Sequence, residues 1–183
     1  MLYLMRHGKT DWNEIKKIQG QSDIPLNEEG RRSAEEARAA NADLSFDICF
    51  CSTLVRAKET AEIFLSGTGT PVVYDDRLKE IGFGIYEGFE HVFEHPECPV
   101  RVLFKDPVHY RAQGGAESLE ELKARTDAVL DEVILPEVQA GKNVLIVAHG
   151  GVGASILSRF RNTPRERFWE DNLLGNCELV RIL

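Results

Sequence analysis

Two short apolar runs, far apart in the chain, decide most of what it can fold into. Leu2-Tyr3-Leu4-Met5 leads straight into Arg6-His7-Gly8, and Val144-Leu145-Ile146-Val147-Ala148 leads straight into His149-Gly150-Gly151. Continuous apolar runs of this length suit strands buried on both faces, as in parallel sheets covered by helices. In such open α/β sheets, functional groups collect in the crevice beyond the carboxyl ends of the strands. If the two strands are parallel neighbours, two imidazoles and a guanidinium meet at one spot.

The rest of the pattern alternates strand with helix. Residues 2–7 read as the first strand, and 27–40 as a helix with Asn27 as its cap and Glu28 and Glu29 in its first turn. Asp47 to Ser52 reads as a strand, Leu54 to Leu65 as a helix, and Val72-Val73-Tyr74 as a third strand. A helix over 118–135 opens on the capping box of Ser118 and Glu121. Its apolar positions, Leu119, Leu122, Thr126, Val129, Leu130 and Val133, keep the three-four spacing of one buried face. After strand 144–148 comes a short helix from about Gly151. Thr163-Pro164-Arg165-Glu166 then announces another helix, a capping box with proline at the first helical position. Glu178 to Leu183 is the last strand.

The expected fold is therefore a three-layer α/β/α sandwich around a mostly parallel sheet, one domain over 1–183. Residues 81–115 break the alternation. They hold Gly82, Gly84, Gly88, Pro96, Pro99, Pro107, Gly114 and Gly115 among scattered aromatics, and read as a small cap over the site.

The bulk numbers narrow the function classes. Hydrophobic residues make up 43% and charged residues 28%, the balance of an ordinary globular chain. With 22 basic against 30 acidic residues the formal charge is −8, which argues against nucleic-acid or membrane-surface partners. An anionic ligand must then be drawn by a local positive pocket. Cys49, Cys51, Cys98 and Cys177 contain no Cys-x-x-Cys pair and read as buried free thiols, with Cys49 and Cys51 on one strand face. No apolar run approaches the about 20 residues of a membrane span, and the N-terminus lacks the order of a signal peptide. A cytoplasmic location is the expectation.

Four segments leave strand ends carrying groups suited to phosphate. The first supplies Arg6, His7 and Gly8, then Thr10 and Asn13, two residues that equally suit a local turn cap. Cys49 to Ser52 leads to Arg56 in the first turn of a helix, Val72 to Tyr74 leads through Arg77 to Glu80, and the fourth gives His149 and Gly150. A phosphomonoester carries about two negative charges near pH 7. Arg6 and Arg56 can clamp its oxygens with forked hydrogen bonds, and the helix after His149 aims free N–H groups at the same place. Both cations should depress the pKa of neighbouring imidazoles and keep a nucleophile neutral.

Leu4-Met5-Arg6-His7-Gly8-Lys9-Thr10-Asp11-Trp12-Asn13, with Gln19-Gly20, Asp23, Pro25-Leu26 and Gly30, resembles the histidine phosphatase superfamily, the phosphoglycerate mutase-like group. Ser52-x-Leu54-x-Arg56-Ala57-x-Glu59-Thr60, Glu80-x3-Gly84-x-Tyr86-Glu87-Gly88, Glu117-Ser118 and Val147-Ala148-His149-Gly150-Gly151 match later motifs in family order. The resemblance spans nearly the whole chain and is weakest over 90–113. It implies that His7 attacks phosphorus, while Arg6, Arg56 and His149 hold the equatorial oxygens. Glu80 would act as general acid and then general base. Thr10, Asn13, Gln19, Gly20 and Gly150 would line the substrate pocket, with no metal and no cofactor required. One departure is visible: Ala116 separates Gly114-Gly115 from Glu117-Ser118, where the family usually reads Gly-Gly-Glu-Ser. That bears on whether Glu117 reaches the site.

Three decoys fall away. Gly8-Lys9-Thr10 lacks the earlier glycine of a phosphate-binding loop, since Tyr3 stands there. His91-x-x-Glu94-His95 fits an inverted zinc motif but is followed at once by Pro96, with no third ligand evident. Gly150-Gly151-Val152-Gly153 lacks the third-glycine spacing of a dinucleotide fingerprint.

The resemblance implies a phosphatase of small phosphomonoesters, with a small phosphorylated metabolite as partner. The rival is a phosphoglycerate mutase using the same phosphohistidine, and a third reading is a non-catalytic phospho-ligand module, for which Glu80 would be superfluous. Family members of this size act on sugar phosphates, phosphoserine, nucleotide-related phosphates and α-ribazole phosphate. Arg77, Lys79, Arg101, Arg111, Tyr86, Phe89, His91, His95 and Tyr110 are the candidates to meet the leaving group. Oligomeric state has no sequence signal.

Overall fold

The computed structural model describes residues 1–170 and 172–183. Its strands are β1 (Leu2–Arg6), β2 (Ile48–Ser52), β3 (Val72–Asp75), β4 (Val144–Ala148) and β5 (Leu179–Arg181). The helices are α1 (Asp11–Glu14), α2 (Glu28–Ala40), α3 (Val55–Phe64), α4 (Pro99–Lys105), α5 (Leu119–Val129), α6 (Leu135–Gln139) and α7 (Gly150–Arg161). The five strands lie in the order β3-β2-β4-β1-β5, all parallel except β5, which runs antiparallel to β1. The mostly parallel sheet is thus borne out.

Burial follows position in the sheet. Central β4 has all five side chains buried, whereas edge strand β3 exposes Val73 and Tyr74. Each buried Val, Leu or Ile of β4 contributes about 1.5–3 kcal/mol of apolar transfer, an upper figure because the unfolded chain is already partly compact. Period-two alternation then divides the core into two layers. Leu2, Leu4, Phe50, Val144 and Ile146 face α5 and α7 through Leu122, Val129, Val152 and Ile156. Tyr3, Met5, Cys49, Cys51, Leu145 and Val147 face α2 and α3 through Ala34, Ala57, Ala61 and Phe64. Cys49 and Cys51 share a face, as their spacing requires, and all four cysteines are free and buried. Burial pushes the Cys49 thiol up to about 12.

Local chemistry explains most element ends. Asn27 caps α2 by accepting the Gly30 N–H, and the Ser118–Glu121 capping box opens α5. Two expectations need correction. The helix over 118–135 is α-helical only to Val129. Leu130–Ile134 widens into a π turn before α6, where Pro136 occupies the first turn and its missing N–H costs nothing. The capped helix at Thr163-Pro164 does not form. Pro164 is extended (ψ 155°), and only a three-residue 3-10 turn, Arg165–Arg167, follows. The Thr163 hydroxyl accepts from Asn172 Nδ2 (3.2 Å) and caps nothing.

Residues 81–115 carry short 3-10 turns and α4, and they pack Phe83 and Phe104 together over the sheet's carboxyl end. Among the described residues, no helix is long and apolar enough to cross a membrane.

Candidate active site

Parallel pairing of β1 with β4 sets Arg6 opposite Ala148, so His7 and His149 leave the sheet side by side. Their ring centroids are 5.0 Å apart. The His7 N–H donates to the Ala148 carbonyl (3.0 Å), and Asn176 Nδ2 donates to the His7 carbonyl (2.9 Å), which fixes the backbone from both sides. Gly8 must be glycine here, because a Cβ would sit 2.7 Å from the Gly30 carbonyl oxygen. The first turn of α2 crosses the chain at that point, and only a Gly8–Gly30 contact is thin enough.

His7 Nδ1 lies 2.7 Å from the Gly8 carbonyl oxygen. A carbonyl only accepts, so Nδ1 carries the proton and Nε2 keeps its lone pair. Burial, then the charges of Arg56 and Arg6, hold the His7 pKa well below the usual imidazole value. The ring is therefore neutral at neutral pH, with its nucleophilic nitrogen set by the fold.

The two arginines are posed by carbonyls. Arg6 Nη1 donates to Leu174 O (2.6 Å), while Arg56 donates to Ser22 O (2.8 Å) and Gly20 O (2.7 Å). Burial lowers the pKa of both, Arg56 to about 10, and leaves each charged. Arg6 Nε, Arg56 Nε and His149 Nδ1 are buried nitrogens with no hydrogen-bond partner among the described residues. Two cationic guanidiniums and a ring nitrogen clustered around His7 suit a ligand with several anionic oxygens.

His149 Nε2 lies 2.7 Å from Ser52 Oγ, and both side chains are buried. Ser52 Oγ also accepts the Leu54 N–H (3.3 Å). Its hydroxyl proton can be given to His149 Nε2, the arrangement in which Nδ1 carries the ring proton.

Glu80 modifies one expectation. The helix after His149 begins at Gly150, with His149 as its cap, but its N–H groups at Gly151 and Val152 are not free. They donate to the Glu80 carboxylate (3.0–3.2 Å), as does the Ile81 N–H (2.9 Å). A helix N-terminus favours an anion, and here it takes the side chain.

The cleft of about 160 Å³ is lined by Arg6, His7, Arg56 and Glu80, with Asn13, Gln19, Gly20 and Gly150 at its sides. Thr10 is not among its lining residues. It is fully buried and caps α1 in a box with Asn13, and its hydroxyl also meets Gln19 Oε1 (3.0 Å). His149 likewise sits behind His7 and is not on the cleft surface.

Glu117 stays outside the cleft. It forms a two-pronged ion pair with Arg125 (2.6 and 2.8 Å) and accepts the Gly82 N–H (3.1 Å). Arg125 in turn donates to the carbonyls of Arg77 and Glu80, so the pair braces the loop that carries Glu80. Arg125 lies inside α5 with nothing in its sequence neighbourhood to mark it. Asn176 likewise has no sequence signal, whereas Ser52 stands at the head of the Ser52-x-Leu54-x-Arg56 motif, which does not reveal its contact with His149.

None of the nine leaving-group candidates lines the cleft. Arg77 pairs with Asp75 and Glu132, and the Tyr110 hydroxyl bonds the Glu117 carbonyl. The outer wall is instead Phe83, Phe104, Trp169 and Leu173, and Lys17 and Ile18 also line the cleft.

Comparisons with known proteins agree with this geometry. The family model described as histidine phosphatase superfamily (branch 1) matches residues 2–183. A probable phosphoglycerate mutase, GpmB, from Salmonella choleraesuis is 34% identical, over 99% of this chain and 83% of its own. A mycobacterial glucosyl-3-phosphoglycerate phosphatase has a similar solved structure (TM-score 0.84, 30% identity, 97% of this chain and 90% of that one). So does the alpha-ribazole phosphatase from Shigella flexneri (TM-score 0.83, 28% identity, 97% and 87%).

Proposed function

The chain belongs to the histidine phosphatase superfamily, and on that premise we propose that it hydrolyses small phosphomonoesters through a phosphohistidine on His7. The observation that carries this reading is the fixed tautomer: Nε2 of a neutral, buried His7 holds a lone pair between Arg6 and Arg56. Nε2 attacks phosphorus in line, the bond from phosphorus to the alcohol oxygen breaks, and that oxygen takes a proton from Glu80. Glu80, now a carboxylate, removes a proton from water as the water oxygen attacks the phosphohistidine. Phosphate leaves, and the lone pair returns to Nε2. Arg6 and Arg56 supply the positive charge for the equatorial oxygens and a neutral His149 an N–H donor, so no step calls on a metal.

The mutase reading is supported by the name of the Salmonella relative. It requires a second anionic group held close to the phosphoryl site. The outer wall is aromatic and aliphatic, and Lys17, its one basic residue among those described, lies 3.3 Å from Glu90. That favours transfer to water.

The test is phosphate release with chelator present, alongside interconversion of 3-phosphoglycerate. Chelator-resistant release that disappears in His7→Ala supports the proposal. Interconversion with almost no release overturns it in favour of the mutase.

A further inference from the structure

We infer that the site selects phosphomonoesters whose alcohol carries an aromatic ring, over those whose alcohol carries a carboxylate or several hydroxyls. This inference rests on the phosphoryl site proposed above and names what lies beyond it. The wall is a row of rings: Phe104 is 5.0 Å from Trp169 and 6.3 Å from Phe83 between centroids, and Phe168 backs Trp169 at 4.8 Å. Trp169 Nε1 donates to the Leu103 carbonyl (2.7 Å), so the one polar atom of the indole is used on the backbone. What the cleft meets is ring surface. Phe104 and Trp169 are only half-buried, unlike core aromatics such as Phe50. A substrate ring would extend the row at the 4.5–7 Å spacing that aromatic pairs prefer.

Charge points the same way. Arg6 and Arg56 serve the phosphoryl group, and Lys17 is the only other basic residue lining the cleft among those described. Its Nζ is held by Glu90 and stands 4.8 Å from the Trp12 ring centroid. Next to the 80–83 loop is a second hollow lined by Gln21, Gly82, Glu87, Glu117 and Glu121; Glu117 is paired with Arg125, and the carboxylates of Glu87 and Glu121 offer an anionic leaving group no favourable contact. The wall offers few donors for sugar hydroxyls. Size sets a limit as well: about 150 Å³ takes one benzene, and the cleft of about 160 Å³ also has to hold the phosphoryl group, so a ring on the leaving group lies along the wall toward the mouth beside exposed Leu173.

The experiment compares esters of alkyl alcohols, so that leaving-group activation does not decide the result. kcat/KM is measured for 2-phenylethyl phosphate, glycerol 2-phosphate and 3-phosphoglycerate on the wild type, Phe104→Leu and Trp169→Leu, the leucine variants retaining apolar bulk. In parallel, calorimetry measures binding of 2-phenylethylphosphonate and 2-carboxyethylphosphonate, which are not hydrolysed. The expected result is at least a tenfold preference for the phenyl ester and phosphonate, falling below threefold in either variant. Equal or reversed preference overturns the inference while leaving the phosphatase reading intact. If no ester turns over but the phenyl phosphonate binds at least tenfold tighter, the ring selectivity stands and the hydrolase reading falls.

Discussion

The floor of the cleft and its outer wall are made by different means. The floor grows from the ends of adjacent strands: Arg6 ends β1 and Ser52 ends β2, His7 and His149 follow β1 and β4 directly, and Arg56 stands in the first turn of α3 after β2. Their backbones are fixed by the sheet, and their side chains are nearly all buried. The wall comes from irregular segments. Phe83 precedes a turn with Gly84 at φ 56°, and Gly114 and Gly115 are also left-handed where the isolated Phe83–Ala116 bridge closes the segment. A rigid floor suits chemistry that must not move by an ångström, and loops are where specificity can change without disturbing it.

Substitutions on the floor should therefore remove turnover, and those on the wall should redirect it. The largest effect is expected from His7→Ala, a loss on the order of 10⁴-fold or more in kcat because the nucleophile is gone. Single-turnover trapping of a phosphoenzyme checks it. Retention of near-normal turnover would break the comparison at its centre. Glu80→Gln removes proton transfer and should cost about 10²- to 10⁴-fold in kcat. Phosphate affinity should be kept, as measured by calorimetry, because the amide can still accept N–H groups of α7.

Ser52→Ala probes whether a floor residue outside the cleft acts through its neighbour. It deletes one buried hydrogen bond to His149, worth roughly tenfold in kcat/KM. Ser52→Thr should restore the rate, and nitrogen NMR should show His149 losing its single tautomer in the alanine variant alone. A rate loss with the tautomer unchanged would make Ser52 merely structural.

The smallest effect is on stability. Burial and the nearby arginines hold His7 and His149 well below the ordinary imidazole value. As pH falls through about 6.5 the unfolded chain takes up these protons and the folded one does not, so the unfolded state binds more and stability drops. The loss should reach about 1 kcal/mol per histidine near pH 5.5 and be absent between pH 7 and 8. Urea midpoints at pH 7.5 and 5.5 measure it, and His149→Gln should reduce the difference. An equal difference in that variant would mean that His149 is protonated in the fold.

Much of the floor was legible in the chain because Arg6, His7 and His149 stand at or directly after a strand signal and Arg56 in the helix turn that follows one. An apolar run followed by His-Gly fixes both the element and the place where its last side chain emerges. The wall had no such grammar. Aromatics in a glycine- and proline-rich stretch carry no periodicity, so the sequence points to Tyr86, Phe89 and Tyr110 and passes over Phe83 and Phe104, which line the cleft. Trp169 lay where a helix was expected, and that expectation failed at the extended Pro164. Glu117 shows the same limit from another side. Its motif was visible, but only Arg125, eight residues on, shows what its carboxylate holds.

By itself the sequence determined the strand order of chemistry: which residues are apolar enough to be buried strands, and which polar residues must stand at their ends. Hydrophobic periodicity and capping are local, so they are written along the chain. Tertiary structure decided that Glu80 rests on the N-terminus of α7, that a serine orients His149, and that aromatic rings from positions 83, 104 and 169 form one wall. Those outcomes depend on side chains meeting across long sequence separations, where burial and unpaired hydrogen-bonding groups choose the partner and no local pattern records the choice.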